Sequence, residues 1–133
     1  MDVYSHRVHY YETDQMGVAH HSNYIRWLEE ARVDFLDKIG APYIEMEKAG
    51  LVSPVLSVLC EYKNSVRFGD IINIDVALKK CSSIKFKFEY KISDTVSGKI
   101  CATAQTIHCF LNSRGYPVSL EKESPIFYRK MFG

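Results

Sequence analysis

No long apolar run, no excess of one charge and no close pair of cysteines marks this chain of 133 residues. Its longest apolar stretches are far too short to cross a bilayer, so no membrane span is expected. Lys and Arg number 17 and Asp and Glu 16, giving a formal net charge of +1. Such a balance offers no electrostatic ground for a nucleic-acid partner. Cys60, Cys81, Cys101 and Cys109 form no CxxC pair and no zinc-like cluster. They read as small buried or half-buried thiols rather than as metal ligands or disulfides. The N-terminus lacks the apolar segment of a secretory signal, and the cytosol is the expected location. Repeats, low-complexity tracts and Pro/Gly/Ser-rich linkers are missing too, so residues 1–133 are expected to form one domain around one core. There is no GxSxG elbow and no phosphate-binding glycine loop, which removes the serine-hydrolase and nucleotide-loop readings.

What is present divides into one helical stretch and a series of strand patterns. Residues 3–11 alternate loosely and carry Val and Tyr, which predicts an opening strand. Gly17 breaks that pattern. Ser22 or Asn23 can then cap a helix through a side-chain oxygen. Tyr24, Trp27, Leu28, Ala31, Phe35 and Ile39 follow helical spacing on one face, widened by Ile25 and Leu36, with Arg26, Glu30 and Val33 roughly opposite. Gly40 and Pro42 supply the stop. Residues 43–49 predict a shorter helix closed by Gly50.

The remainder alternates with period two. Leu56, Val58, Cys60 and Tyr62 form one apolar series; Ile72, Ile74, Val76 and Leu78 a second; Ile84, Phe86, Phe88, Tyr90 and Ile92 a third. RFGD (67–70), DTVSG (94–98) and NSRG (112–115) read as turns. Residues 99–111 predict a long strand with few charges, placed centrally or in an interface, followed by a tail without a clear pattern. An antiparallel sheet with an apolar face needs a cover, and the Tyr24 helix is the one long amphipathic element available. The expected architecture is α+β, a strongly curved sheet wrapped around that helix.

The chemistry concentrates between Tyr10 and Arg32, YYETDQMGVAHHSNYIRWLEEAR. Asp14 is a lone carboxylate a short loop before a helix start, where backbone N–H groups lack intrahelical partners. A carboxylate beside such donors can attack a carbonyl, or activate water to attack it, while the donors stabilise the oxyanion. Asp14 is equally able to serve as a loop cap. His21, at the helix start, offers a backbone N–H and an imidazole. Gly17 permits a tight backbone path, or marks a plain turn. Asn23 can cap the helix or hold the loop, with capping the expected role. Tyr24 and Trp27 could line a pocket, though their spacing describes core packing as well. Glu29 is a second carboxylate, three residues from Arg32, with which an intrahelical ion pair is expected. His20 and His21 are adjacent and cannot readily converge on one ion, so no metal is expected.

Asp14, Gly17, His21, Asn23, Tyr24, Glu29, Ala31 and Arg32 stand in the spacing DxxGxxxHxNYxxxxExAR without a gap, preceded by Tyr11 and Thr13. With the strand order, this resembles the hotdog-fold acyl-CoA thioesterases of the 4-hydroxybenzoyl-CoA thioesterase-like group, including its Tol–Pal-associated branch. The likeness continues more weakly through EYKNSVRFGD (61–70) and the later strands; Met16 and His20 depart from the residues common at their positions. The resemblance implies a hotdog fold and hydrolysis of an acyl-CoA or acyl-carrier-protein thioester. It implies Asp14 as nucleophile or general base, and the His21 N–H as donor to the thioester oxygen. It implies no dissociable cofactor, and a homodimer or homotetramer with sites completed between subunits. Lys63, Arg67, Lys85 and Lys87 are candidates for the phosphates of coenzyme A. Two rival expectations stand beside it: a hotdog dehydratase acting on a 3-hydroxyacyl thioester, with His21 and Glu29 as its His and carboxylate, and a non-catalytic acyl-thioester-binding protein.

Overall fold

A computed structural model describes residues 2–133. Strand β1 (Asp2–Arg7) leads through a 3-10 turn (Tyr10–Glu12) to the long helix α1 (Ser22–Lys38) and the short helix α2 (Tyr43–Lys48). Then follow β2 (Val55–Tyr62), β3 (Ile71–Lys80), β4 (Lys85–Asp94), β5 (Ile100–Leu111) and the two-residue β6 (Pro117–Val118). The patternless tail closes as two helices, α3 (Leu120–Glu123) and α4 (Pro125–Phe132). The strands form one sheet in the order β1-β3-β4-β5-β2, with β6 on β5, and every pairing is antiparallel.

Helix α1 lies against the sheet through the predicted face. Tyr24, Trp27, Leu28, Ala31 and Leu36 are buried, as are Ile72, Ile74, Val76, Phe86, Phe88, Tyr90 and Ile92 from β3 and β4. Apolar area removed from water is the main term holding the two layers together. Gly40 ends α1 at φ +83, and the Ala41 N–H returns to the Leu36 carbonyl at 2.9 Å, a left-handed stop that glycine adopts without steric cost. The three predicted turns form: Gly69, Gly98 and Gly115 each sit at positive φ.

Four details differ from the sequence expectation. His21 rather than Ser22 or Asn23 occupies the N-cap, with no side-chain cap bond, because the Asn23 side chain is committed to the preceding loop. The Ile25 side chain is exposed, on the flank of α1 that the sheet does not cover. Arg32 is buried, 5% exposed, and reaches into the core while keeping the expected ion pair with Glu29 at 3.9 Å. Strand β2 pairs only with β5 and is exposed along both faces; Val55, Leu56, Val58, Leu59 and Tyr62 are all more than 40% exposed.

A polar chain crosses the core behind α1. Arg32 donates to the hydroxyls of Tyr43 and Tyr90, each at 3.1 Å; Tyr90 and Thr106 hydroxyls meet at 2.8 Å; Thr106 and His108 Nε2 meet at 2.7 Å. His108 is fully buried, and its Nδ1 has no hydrogen-bond partner. Burial, helped by the Arg32 cation, holds its pKa down at about 4. A depressed histidine stabilises the fold above its unfolded value near 6.5 and loses that contribution as pH falls. A displacement of this size is worth about 3 kcal/mol. Thermal melts at pH 7 and pH 4.5 are expected to show the loss, and His108→Asn is expected to flatten that part of the slope. An unchanged slope would remove His108 as its source.

Candidate active site

Between the start of α1 and the end of β2 lies an open cleft of about 290 Å³. Its walls are Asp14, Val18, Ala19, His21 and Tyr24 on one side and Tyr62, Lys63, Asn64 and Ser65 on the other. Asp14 stands on a loop that closes on itself. The Asp14 N–H donates to the Val18 carbonyl at 3.0 Å, Thr13 bridges to Ala19, and the Gly17 N–H returns to the Asp14 carbonyl at 3.0 Å. Gly17 takes φ +78, so the turn requires its freedom. Asp14 Oδ1 accepts from the Met16 N–H at 2.8 Å, leaving Oδ2 without a partner among the described residues. The side chain is exposed to the cleft.

His21 lines the same wall of the cleft as Asp14. Its backbone N–H has no acceptor among the described residues, whereas the following ones do: Ser22 N–H meets His20 Nδ1 at 3.2 Å and Asn23 N–H meets the His20 carbonyl at 3.0 Å. A lone carboxylate and a vacant donor at a helix start therefore border one space. The His21 ring packs toward His20, with centroids 4.2 Å apart.

Asn23 does not cap the helix. Its Nδ2 donates to the Glu12 carbonyl at 2.8 Å and to the His20 carbonyl at 3.2 Å, holding both ends of the Asp14 loop. Tyr24 and Trp27 separate in role. Tyr24 lines the cleft and meets Tyr62 edge-on at 4.9 Å; burial, then the Cys101 and Cys60 thiols and Tyr62, push its hydroxyl up to about 12. Trp27 is fully buried in the core, and its Nε1–H donates to Glu12 Oε2 at 2.7 Å. Glu29 lies outside the cleft, 72% exposed, 3.9 Å from the Arg32 guanidinium.

The four candidate cations disperse. Lys63 lines the cleft. Arg67 sits beside the loop, its Nη1 3.4 Å from the Gly17 carbonyl. Lys85 begins β4, opposite Cys109, at the strand end away from the cleft. Lys87 is 3.5 Å from Glu89. Lys85 and Lys87 therefore do not reach the cleft of their own chain.

Sequence reasoning missed three parts of this neighbourhood. Tyr62 and Asn64 reach the cleft because β2 ends opposite the helix start, a register that periodicity alone does not give. Glu12 is a buried carboxylate, although its place in the exposed-looking run YYETD gives no hint of that. His6 and His9 converge on it: one ligand atom each from His6, His9 and Glu12 lies within 4.8 Å of the others. Such a trio could hold a metal ion, but Glu12 Oε1 already accepts from His6 Nε2 at 2.9 Å and from the His9 N–H at 2.8 Å.

Known proteins share this fold. Residues 8–125 match the family described as the Thioesterase-like superfamily. A hypothetical protein of Aquifex aeolicus superposes with a TM-score of 0.87 at 37% identity, covering 96% of this chain and 98% of its own. The DHNA-CoA thioesterase of Staphylococcus aureus gives 0.89 at 29% identity, over 96% of this chain and 86% of its own. The acyl-CoA thioesterase YbgC of Haemophilus influenzae is 23% identical over 88% of this chain and 86% of its own length. A helix-wrapping antiparallel sheet, and a family match over most of the length, thus agree: the chain belongs to the thioesterase-like superfamily and has the hotdog fold.

Proposed function

We propose that this protein hydrolyses acyl-CoA thioesters with Asp14 as the reacting carboxylate and the His21 N–H as the donor to the carbonyl oxygen. The observation that carries the reading is the presence, along one wall of the same cleft, of a carboxylate oxygen and a backbone N–H that have no partner among the described residues. In the general-base course, Asp14 Oδ2 takes a proton from water as its oxygen adds to the thioester carbon. The negative charge moves to the carbonyl oxygen, under the His21 N–H. Collapse breaks the C–S bond, and the thiolate leaves as coenzyme A, reprotonated from Asp14. In the nucleophilic course, Asp14 Oδ2 itself adds, the C–S bond breaks to leave a mixed anhydride, and water then cleaves that anhydride. Label found in Asp14 after a single turnover in ¹⁸O-water establishes the second course, with water adding at the Asp14 carbonyl of the anhydride.

Lys63 at the cleft rim is placed to meet a phosphate or pantetheine oxygen of the substrate. No metal or dissociable cofactor is needed by either course. The relatives named for CoA thioesters support the substrate class, and the acyl group is left to a thiol-release panel spanning aliphatic and benzoyl-type CoA esters. Hydration of crotonyl-CoA without thiol release would replace this reading with the dehydratase.

The assembled enzyme is a homo-oligomer in this reading. Strand β2 presents unpaired backbone groups and exposed Val55, Leu56, Val58 and Leu59 beside the cleft-lining Tyr62. Its residues include no lysine or proline to guard the edge. A second copy covering that strand would also wall the open side of the cleft. Leu59→Lys is expected to shift sedimentation toward monomer at micromolar concentration and to lower thiol release at least about tenfold. A wild-type protein that sediments as a fully active monomer would refute the shared site.

A further inference from the structure

Glu12 is the residue at which β1, the 3-10 turn, α1 and the base of the Asp14 loop meet. It is 6% exposed and stands two residues before Asp14. Its carboxylate collects three donors: His6 Nε2 at 2.9 Å and the His9 N–H at 2.8 Å on Oε1, and Trp27 Nε1–H at 2.7 Å on Oε2. Its backbone carbonyl collects two more, the His20 N–H at 2.8 Å and Asn23 Nδ2 at 2.8 Å. One residue thus fastens β1, the 3-10 turn and α1 to both ends of the loop that bears Asp14. His20, held by the Glu12 carbonyl, directly precedes the residue with the vacant N–H.

A buried carboxylate needs this many donors to remain charged away from water. Burial raises the Glu12 pKa, but the His9 N–H, His6 and Trp27 bonds outweigh it and leave the value lowered. The anion therefore persists at neutral pH as a fixed anchor. Charge-assisted bonds of this kind are shorter and stiffer than neutral ones, and reaction rates are sensitive to displacements of the order of an ångström.

We propose that Glu12 is a positioning residue that sets the separation between Asp14 and the His21 N–H. The inference rests on the reading of those two groups given above. Glu12 touches neither water nor thioester in the reaction; it acts through the loop.

The test is a double-mutant comparison by thiol release on whichever acyl-CoA the wild type cleaves fastest. Glu12→Gln retains size but offers one acceptor oxygen and a competing NH₂, so at least one of the three donors loses its acceptor. It is expected to lower kcat about tenfold or more while KM stays within about threefold. In an Asp14→Asn background the same substitution is expected to change the residual rate by less than about twofold, because there is no carboxylate left to position. A Glu12→Gln protein with wild-type kcat overturns the proposal. So does an equal loss in both backgrounds, which would make Glu12 a general support of the fold. If Glu12→Gln does not fold, Trp27→Phe removes one donor and leaves the anion; it is expected to cost about threefold or more in the wild type and nothing beside Asp14→Asn. Wild-type rates in Asp14→Asn itself would overturn the site reading as well, and that failure is seen in the single variant before any pair is compared.

Discussion

Asp14→Asn is expected to abolish at least about 99% of thiol release, a hundredfold or greater loss of kcat, with the melting temperature changed by no more than a few degrees. The asymmetry follows from what the side chain does in the resting protein. Asn retains an oxygen to accept the Met16 N–H, so the turn at Asp14 to Gly17 closes as before. The Val18 carbonyl and the Thr13–Ala19 bridge involve only backbone. An amide is neither a base nor a competent nucleophile at neutral pH, so both chemical courses stop. Circular dichroism and sedimentation on the variant separate a silent site from a broken one. Equal rates for Asn and Asp would remove this carboxylate from the mechanism.

Phe88→Ala is expected to do the reverse, damaging the fold and sparing the chemistry. Phe88 is fully buried in the middle of β4 and meets Phe35, Phe86 and His108 edge-on, at centroid distances of 5.9, 5.9 and 5.3 Å. Removing a ring from such a site costs about 3–5 kcal/mol, the lost transfer energy plus the cavity left behind. For a chain of this size that lowers the melting temperature by roughly 10–20 °C. The side chain does not line the cleft, so thiol release at low temperature, where the variant is still folded, is expected near the wild-type value. A melting temperature within about 3 °C of wild type would mean that α1 collapses onto the gap far better than a close-packed interior normally allows.

The fold was largely legible before any coordinates. Period-two runs with one apolar face gave β3 and β4, because their outward residues Asn73, Asp75, Lys87, Glu89 and Lys91 are polar. The wide stripe on α1 gave its buried face. The two tail helices escaped, and so did the exposure of the correctly read strand β2, for physical reasons. The tail helices α3 and α4 are short, and α3 lacks the length over which a helical period becomes visible. Strand β2 alternates like a half-buried strand, yet apart from Cys60 and the Tyr62 contact with Tyr24 it is left exposed, so its other apolar residues say little about this core.

The site was legible only in part. The spacing from Asp14 to Arg32 located the reactive loop, the helix start and the cleft-facing Tyr24. It could not divide Tyr24 from Trp27, because both lie on one helical face and only the loop's position decides which is reached by solvent. It could not find Glu12, because a charged residue in a polar run reads as surface until three donors are seen around it. For Arg32 the ion pair with Glu29 was legible but the burial was not: its further partners are tyrosines distant in sequence, from α2 and β4.

The turn that holds Asp14 closes through bonds within residues 13–19, while the opposing wall of the cleft belongs to β2 and the residues after it, joined to the loop's far end by the Ala19 N–H on the Val66 carbonyl at 2.6 Å. In the proposed reading, reactivity and selectivity consequently reside on separable pieces of the polypeptide. Tyr62, Asn64 or Ser65 can be exchanged without disturbing a single bond that orients the carboxylate. A lineage with this layout can wander among thioesters of different shape at little cost to turnover, remodelling the wall while the cutting edge stays where it is.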